Sequence, residues 1–287
     1  MKNIKYFFEF LVILILLIIF KITGYKIASN LGNSIGKMIG PKFRSKKVIV
    51  DNIKNFKPDI KENEINKIVK KMWGNYGRIL AEYVHIPEFR RRRLDNYLKI
   101  EGLENLEKVK SSGKPTIFIS GHFNNFELMA MIIEREGVDL SAVYRPLNNR
   151  FLNILMEYLR ENYICKNQIK KGLRGVREAL KYFKNGKSLA IMIDQRVSEG
   201  INSKLFGKNA LTTTIPAQFV KKFGCVIQPV YIQRKNGIYF EVFFDEHLSF
   251  DKNESIENIT EKLNYWLEQK IIKNPAQWIW SHNRWKL

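Results

Sequence analysis

The alternation of apolar and polar residues divides the chain into three regions with different predicted structures. From Ile4 to Ile22 the sequence is almost wholly apolar, and Phe10 to Phe20 contains no polar residue. A helix that crosses a bilayer needs about 20 predominantly apolar residues, and an anchor can also lie in the membrane interface. We therefore predict a membrane anchor over residues 1–22.

Residues 23–98 have the apolar spacing of helices rather than strands. The clearest helical face contains Ile65, Ile68, Val69, Met72 and Trp73. Breaks between helices are expected at Gly40-Pro41, Lys57-Pro58-Asp59 and Ile86-Pro87-Glu88. This region is predicted to form a helical collar.

Residues 99–287 alternate between short apolar runs and amphipathic stretches. The runs predicted as strands are 116–120, 140–144, 188–194, 226–233 and 239–245. The stretches predicted as helices are 124–136, 150–161, 170–185, 216–223 and 255–273. Such alternation is typical of an α/β domain with a central, mostly parallel or mixed sheet flanked by helices. The turn at 234–237 predicts an antiparallel hairpin at one edge.

Composition narrows the possible partners. The 287 residues are 45% hydrophobic, which excludes a disordered chain, and 49 Lys and Arg against 28 Asp and Glu give a net charge of +21. An anionic partner is expected, and phosphorylated lipid head groups, an acidic carrier protein and nucleic acid all satisfy that condition. Cys165 and Cys225 lack C-x-x-C spacing, so we predict neither a zinc site nor a disulfide, and no cofactor.

The residues around the anchor favour a retained helix with a cytoplasmic body. Lys21 and Lys26 follow the apolar segment and no A-x-A-like site is evident, so cleavage as a signal peptide is the less favoured alternative. Further basic residues from Lys37 to Lys47 favour the cytoplasmic side, although Lys2 and Lys5 weigh against it. We therefore expect a membrane anchor with the body of the protein on the cytoplasmic side.

The strongest candidate chemistry is an H-x-x-x-x-E pair. His122 follows the apolar run 116–119 through Ser120-Gly121, and Glu127 falls on the first turn of the next predicted helix. A carboxylate that hydrogen-bonds one imidazole nitrogen fixes the tautomer and stabilises the imidazolium, so the other nitrogen can remove a proton from a hydroxyl. Alternatively His122 is an ordinary loop histidine and Glu127 a favourable acid near a helix N-terminus.

Two basic segments allow more than one interpretation. Arg90-Arg91-Arg92-Arg93 is either a solvated charge cluster or a grip on phosphates or an acidic protein. The helix predicted over 170–185 carries an apolar stripe beside a basic face that consists of Lys170, Arg174, Arg177, Lys181 and Lys184. That face either docks on a membrane or an acidic protein, or is simply solvated.

Five segments in order resemble the motifs of the lipid A biosynthesis late acyltransferases, the bacterial lauroyl and myristoyl transferases. They are residues 121–127, 143–146, 193–196, 212–217 and the tail 274–286 with its sequence NPAQWIWSHNRWK. The likeness extends from the anchor to the tail. It implies an enzyme of the bacterial inner membrane with its catalytic domain facing the cytoplasm. Such an enzyme moves a fatty acyl group from acyl carrier protein to a hydroxyl on a 3-hydroxyacyl chain of a lipid A precursor, in lipopolysaccharide biosynthesis.

The resemblance also implies roles for individual residues. His122 would be the base and Glu127 its orienting acid. Arg145 would contact phosphate or stabilise an oxyanion, and Asp194 and Gln195 would line the acceptor site with Arg196 assisting phosphate binding. Thr212 to Thr214 would line the pocket or cap a helix. Gly121 and the pair Asn124-Asn125 depart from the commoner residues of the first motif.

Two other functions compete with this interpretation. A glycerophospholipid acyltransferase acting on lysophosphatidic acid shares the H-x4-D/E chemistry, although the Trp-rich tail and residues 143–146 favour lipid A. A membrane-tethered basic binding protein without catalysis is the second. Nucleic acid is not an expected partner, because the basic residues are dispersed and no recognition motif accompanies them.

Overall fold

The structure, a computed structural model, describes residues 2–251 and 253–286. Positions 1, 252 and 287, which include the outer ends of the first and last predicted regions, lie outside the described residues. The α-helices are α1 Lys2–Ile39, α2 Lys46–Phe56, α3 Glu62–Glu82, α4 Ile86–Arg90, α5 Leu103–Ser112, α6 Glu127–Arg135, α7 Arg150–Tyr163, α8 Leu173–Lys184, α9 Ile215–Phe223 and α10 Ile256–Lys273.

The strands form one large sheet and one small hairpin. They are β1 Leu98–Glu101, β2 Ile117–Ser120, β3 Leu140–Tyr144, β4 Asn167–Lys170, β5 Ser188–Met192, β6 Ile201–Leu205, β7 Lys208–Thr212, β8 Ile227–Lys235 and β9 Tyr239–Phe244. The seven-stranded sheet has the order β1-β9-β8-β2-β5-β3-β4, and only the β8–β9 pair is antiparallel. Strands β6 and β7 pair separately. The predicted α/β architecture is confirmed.

The connections between parallel strands place helices on both faces of the sheet. The crossovers through α6 to β3 and through α7 to β4 advance in one direction, whereas those through α8 to β5 and through α9 to β8 return. Because such crossovers are almost always right-handed, α6 and α7 cover one face and α8 and α9 the other. Contacts agree with this arrangement, since α7 packs on α1 and α4 while Phe183 of α8 packs on Phe219 and Phe223 of α9.

The helices before β1 pack into the same core as the sheet. Tyr25, Trp73 and Phe89 belong to one buried cluster with residues of the central strands. Helices α1 and α3 approach so closely that a Cβ on Gly32 would lie 2.3 Å from the carbonyl oxygen of Gly77. Glycine at these positions therefore brings the two backbones into direct contact, as small residues do in tightly packed helix pairs.

Helix α1 has two parts with different surroundings. Gly24 has φ 76° and ψ 161°, a conformation that only glycine adopts readily, and it kinks the helix after the apolar segment. Before the kink, large apolar side chains project into solvent, including Ile4, Phe8, Val12, Ile15, Ile18 and Ile22. Within the described residues, the helical stretch Lys2–Lys42 is long and apolar enough to cross a membrane.

Several elements were not predicted from the sequence. Strands β1, β4, β6 and β7 are only four or five residues long, and polar residues also break the alternation in β4, β6 and β7. The antiparallel hairpin at 234–237 is confirmed, but β1 lies outside it, so the hairpin is not the edge of the sheet. Lys170 ends strand β4 instead of belonging to helix α8.

Candidate active site

The register of two neighbouring strands brings His122 and Asp194 together. Strands β2 and β5 are parallel, and Ser120 lies opposite Met192. His122 and Asp194 each follow two residues beyond that pair, so they leave the sheet side by side. Nδ1 of His122 lies 2.7 Å from Oδ1 of Asp194. The carboxyl ends of parallel strands are the usual location of a site in an α/β sheet.

Asp194 is fully buried and surrounded by hydrogen-bond donors. Its Oδ2 accepts the backbone N–H of His122 at 2.7 Å and the indole N–H of Trp278 at 2.8 Å. A carboxylate that accepts several N–H groups remains ionised even in a buried position. Asp194 therefore fixes the imidazole with Nδ1–H donating, and Nε2 is left as the free basic nitrogen.

The charges of this pair shift both pKa values. Burial alone would raise the pKa of Asp194, but the His122 ring and the N–H donors hold it below its ordinary value. Burial alone would lower the pKa of His122, but the Asp194 carboxylate raises it above its ordinary value, with a smaller contribution from Glu127. The pair is thus prepared to carry the positive charge that forms when Nε2 takes up a proton.

The sequence predicted that Glu127 would be the hydrogen-bond partner of His122. In the structure that partner is Asp194. Glu127 accepts the hydroxyl of Tyr83 at 2.7 Å, and its Oε1 lies 2.5 Å from Nη2 of Arg160. The first turn of α6 directs this carboxylate towards Tyr83, just after α3, and towards Arg160 on α7. Asp194 instead follows strand β5, the neighbour of the strand that precedes His122. Phe126 packs edge-on against the imidazole, with ring centroids 4.7 Å apart.

The loop after His122 is held by a second buried carboxylate. Glu82 forms a two-pronged ion pair with Arg234, at 2.5 and 2.9 Å, and accepts the side-chain amide of Asn125 at 3.1 Å. The backbone N–H of Asn124, at φ 44°, donates to the carbonyl of Gln277 at 3.0 Å. Asn124 and Asn125, the unusual residues of the first motif, therefore anchor the loop that carries His122.

A cavity of about 360 Å³ opens beside His122. Its interior is apolar and includes Phe126, Met129, Ala130, Ile133, Ala142 and Ile164. Exposed cationic side chains line its mouth: Arg44, Arg145 and Lys171. His122 and Glu127 both line the wall, and the His122 side chain is 18% exposed. An apolar interior with a cationic mouth suits a ligand that joins a hydrocarbon chain to an anionic head.

The other predicted site residues have different surroundings. Arg145 and Gln195 line the cavity, and the Gln195 amide nitrogen lies 3.5 Å from Nε2 of His122, which is too long for a good hydrogen bond. The guanidinium of Arg196 donates to the carbonyl of Lys286 at 2.6 Å and to Ser198 at 3.0 Å. Arg196 does not line the described cavity, where the sequence predicted it. Its guanidinium binds the C-terminal tail instead.

The tail and the threonine run form part of the cavity wall, to which the tail contributes Ile279, Ser281 and His282. Thr213 lines the cavity, whereas Thr212 accepts the buried guanidinium of Arg284 at 2.6 Å. Burial lowers the pKa of His282 to about 4. This histidine is therefore neutral at physiological pH, and its Nε2 accepts the backbone N–H of Arg196 at 3.0 Å.

Sequence reasoning missed Arg160, Tyr83 and the role of Trp278. Although burial opposes its charge, Glu127 and Tyr83 raise the pKa of Arg160, so this cation persists in the cavity wall. Its Nη1 is buried and has no hydrogen-bond partner among the described residues. Trp278 reaches Asp194 from a tail 84 residues away along the chain, and no pattern in the sequence marks either this contact or Arg160.

The arrangement brings together the side chains that general base chemistry requires. Among residues 2–251 and 253–286, no group of three or more His, Cys, Asp or Glu side chains is positioned to hold a metal ion. A neutral imidazole at the cavity wall, backed by a buried carboxylate, can deprotonate a hydroxyl and later return the proton to a leaving group.

Comparison with known proteins identifies relatives along the whole chain. The family model described as bacterial lipid A biosynthesis acyltransferase matches residues 1–287. The chain is 24% identical over 272 residues to a lipid A biosynthesis lauroyltransferase of Escherichia coli (strain K12), covering 91% of this chain and 86% of the relative. It is 23% identical over 273 residues to a palmitoleoyltransferase of the same pathway and organism, with the same coverage. A lipid A biosynthesis acyltransferase of Haemophilus influenzae (strain ATCC 51907 / DSM 11121 / KW20 / Rd) is 26% identical over 235 residues, 80% of this chain and 73% of the relative.

Proposed function

Because the chain belongs to the bacterial lipid A biosynthesis acyltransferase family, we propose that it transfers a fatty acyl group from acyl carrier protein to a hydroxyl of a 3-hydroxyacyl chain on a lipid A precursor. The observation that carries this proposal is the hydrogen-bonded His122–Asp194 pair on the wall of an apolar cavity with a cationic mouth. The His122–Asp194 pair supplies the base, and the cavity fits a hydrocarbon chain attached to a phosphorylated sugar.

In the proposed first step, Nε2 of His122 removes the proton of the acceptor hydroxyl. The hydroxyl oxygen at the same time attacks the carbonyl carbon of the thioester. A tetrahedral intermediate forms with the negative charge on the former carbonyl oxygen. Asp194 stabilises the imidazolium that results and itself remains ionised. Gln195, next to Nε2, is the side chain we assign to binding the acceptor hydroxyl.

In the second step the intermediate collapses and expels the pantetheine thiolate, which takes the proton from Nε2 of His122. The ester is formed, the thiol is released and the imidazole is neutral again, so no metal or covalent enzyme intermediate is required. Glu127 acts through Arg160, which it holds in the cavity wall with Nη1 free to stabilise the oxyanion. Arg145 at the mouth binds phosphate of the acceptor.

The proposal includes a location at the cytoplasmic face of the inner membrane. Residues 1–22 would anchor the protein, residues 23–98 would form the collar and residues 99–287 would carry the acyltransferase site. The exposed apolar side chains of α1 support the anchor. Exposed Ile154 and Tyr158 of α7, which packs against α1, would extend that surface towards the cavity.

The test is an acyl transfer assay with purified protein in detergent micelles. Acyl carrier protein loaded with a fatty acid is the donor, and a lipid A precursor with free 3-hydroxyl groups or lysophosphatidic acid is the acceptor. We expect mass spectrometry to detect one added acyl chain on the lipid A precursor only. Acylation of lysophosphatidic acid alone would instead assign the protein to glycerophospholipid synthesis.

The matched variant is His122→Ala, because His122 is 18% exposed at the cavity and its removal leaves the core intact. We expect its turnover to fall by about 10⁴-fold or more, as for other enzymes that lose their general base. Unchanged membrane association and thermal midpoint would show that the variant is folded. Near-normal turnover in this variant would rule out His122 as the base.

A further inference from the structure

Helix α8 presents an unpaired basic surface that the site chemistry does not use. Arg174, Arg177, Lys181 and Lys184 are all exposed, and we call them the basic stripe. At 3.6 residues per turn their Cα positions fall within a sector of about 80°. None of the four forms an ion pair with any described residue, whereas the flanking Lys170 and Lys187 pair with Glu157 and Asp139. Glu178 is the only acidic residue of this helix.

The opposite side of α8 is fixed against the protein. Gly175, Ala179 and Phe183 are buried, and Phe183 packs on Phe219 and Phe223 of α9. A Cβ on Gly175 would lie 2.0 Å from the carbonyl oxygen of Lys170, so the helix sits directly on the end of β4. Leu180 and Tyr182 also pack against the core, whereas Leu173 in the first turn is exposed. Four of the exposed side chains of α8 are cationic and one, Glu178, is acidic, so its free face has little apolar surface to insert into lipid.

The basic stripe also lies on a different face of the sheet from the apolar anchor. Helices α8 and α9 cover one face, whereas α7, which contacts α1 through Phe151, covers the other. The exposed apolar residues of α1 and α7 belong to that second face. The arrangement favours a water-soluble anionic partner for α8 and a lipid environment for α1.

The stripe begins at the mouth of the cavity. Gln168 and Lys171, which immediately precede α8, line the cavity, and Arg174 is the first cation of the stripe beyond them. From there the helix extends over twelve residues, or about 18 Å. A carrier that delivers a thioester on a long flexible arm must dock beside the cavity and not inside it, and this helix offers such a position.

We propose that the basic stripe is the docking surface for the acidic acyl carrier protein that brings the acyl donor to His122. The inference rests on the proposed function and adds to it the place where the donor protein binds. Four unpaired cations facing an acidic helical protein provide steering and orientation more than buried contact area. The docked carrier would then extend its acyl arm past Lys171 into the apolar interior.

The experiment reverses three charges of the stripe and compares them with three matched charges elsewhere. The test variant is Arg174→Glu/Arg177→Glu/Lys181→Glu. The control is Lys67→Glu/Lys70→Glu/Lys71→Glu on α3, where the three lysines are likewise exposed and unpaired with described residues. Both variants change the net charge equally. Each is assayed in detergent micelles with an acyl carrier protein donor and with acyl-pantetheine, which needs no protein docking.

We expect the test variant to raise the KM for the carrier-bound donor by about tenfold or more, equivalent to about 1.4 kcal/mol. Its kcat should change little, and the salt dependence of kcat/KM should become weaker. Transfer from acyl-pantetheine should match wild type, which also reports an intact site. The α3 control should behave as wild type with both donors.

Other outcomes separate the docking surface from the function. If wild type transfers acyl groups but the test variant keeps its KM for the carrier, the docking surface is wrong and the proposed function stands. If the test variant loses binding to phosphatidylglycerol vesicles while its KM in micelles is unchanged, the stripe is a lipid site and the proposal is overturned. Should charge reversal impair folding, the neutral variant Arg174→Gln/Arg177→Gln/Lys181→Gln gives the same comparison, with a smaller rise in KM expected.

Discussion

Two buried carboxylates lie on either side of the His122 loop, and their surroundings differ in one respect. Asp194 and Glu82 are both fully buried, and each is paired with a cationic or basic partner and with further donors. The partner of Asp194 is His122, which reaches the cavity. The partner of Glu82 is Arg234, which is 9% exposed and packs over the ring of Phe240.

Buried charge serves chemistry in the first pair and structure in the second. The His122–Asp194 pair keeps one unused nitrogen at the cavity wall, so its charge can change during a reaction. The Glu82 carboxylate accepts hydrogen bonds from Ser29 and Asn125 as well as from Arg234, so this pair connects α1, α3 and the loop and does not reach the cavity. We therefore expect changes at Asp194 to reduce turnover and changes at Glu82 to reduce stability.

The largest expected effect is that of Asp194→Asn. An amide that replaces this carboxylate favours the wrong imidazole tautomer and no longer stabilises the imidazolium, and comparable changes in hydrolase triads cost about 10⁴-fold in kcat. We expect a loss of roughly 10³- to 10⁴-fold here, with the variant still folded. The rate of acyl transfer in micelles and the thermal midpoint are the measurements. A loss of under about tenfold would remove Asp194 from the mechanism.

Glu82→Ala is the second in size and should act on stability. It leaves the buried guanidinium of Arg234 without its carboxylate, and breaking a buried pair from one side costs about 3–5 kcal/mol. We expect a large fall of the thermal midpoint in detergent, while the rate per folded molecule stays within about tenfold of wild type at low temperature.

The double variant Glu82→Leu/Arg234→Met is the control for the stability change. It removes both charges together, so much of the lost stability should return. If Glu82→Ala abolished turnover while the thermal midpoint remained unchanged, the division between the two carboxylates would be mistaken.

The sequence predicted that His122 and Asp194 each follow a strand, but not that the two side chains pair with each other. His122 and Asp194 each follow an apolar run and were both expected at the site. Their contact depends on β5 lying next to β2, an adjacency between strands about 70 residues apart that local patterns do not encode. H-x4-E spacing suggested Glu127 as the partner, yet the long-range ion pair with Arg160 draws that carboxylate away.

The same limit explains the rest of the site. Apolar spacing located α6 to α10 and the central strands, because those elements bury one face. The short polar strands β4, β6 and β7 depend on pairing with neighbours and were not found. Roles of Trp278 and Gln277 could not be predicted either, because the tail returns to the sheet over a distance that no local pattern measures.

A smaller effect is expected for Trp278→Phe, which removes a single hydrogen bond from Asp194. Phenylalanine preserves most of the packing on Trp280 and removes only the N–H donated to Asp194 at 2.8 Å. A hydrogen bond to a charged group contributes about 1.5–3 kcal/mol. If about half of this free energy stabilises the transition state, its loss should lower kcat by about tenfold.

The matched control for Trp278→Phe is Trp280→Phe, whose indole donates to the backbone carbonyl of Pro275. It should alter the thermal midpoint with little change in kcat. Equal effects of the two substitutions on kcat would show that the tail acts only through packing.

The smallest expected effect is a shift in the pH dependence of kcat/KM. His122 must be neutral to act as the base, and Asp194 raises the pKa of its ring above the ordinary value of about 6.5. In wild type, activity should therefore fall as the pH is lowered through a pKa above that value. In Asp194→Asn the raising influence is lost and burial, which lowers the pKa of His122, remains, so the residual activity should persist to lower pH. Glu82→Ala should keep the wild-type profile, because its carboxylate is no cause of the shift. An acid limb at the same pH in wild type and Asp194→Asn would mean that the group titrating in the rate is not His122.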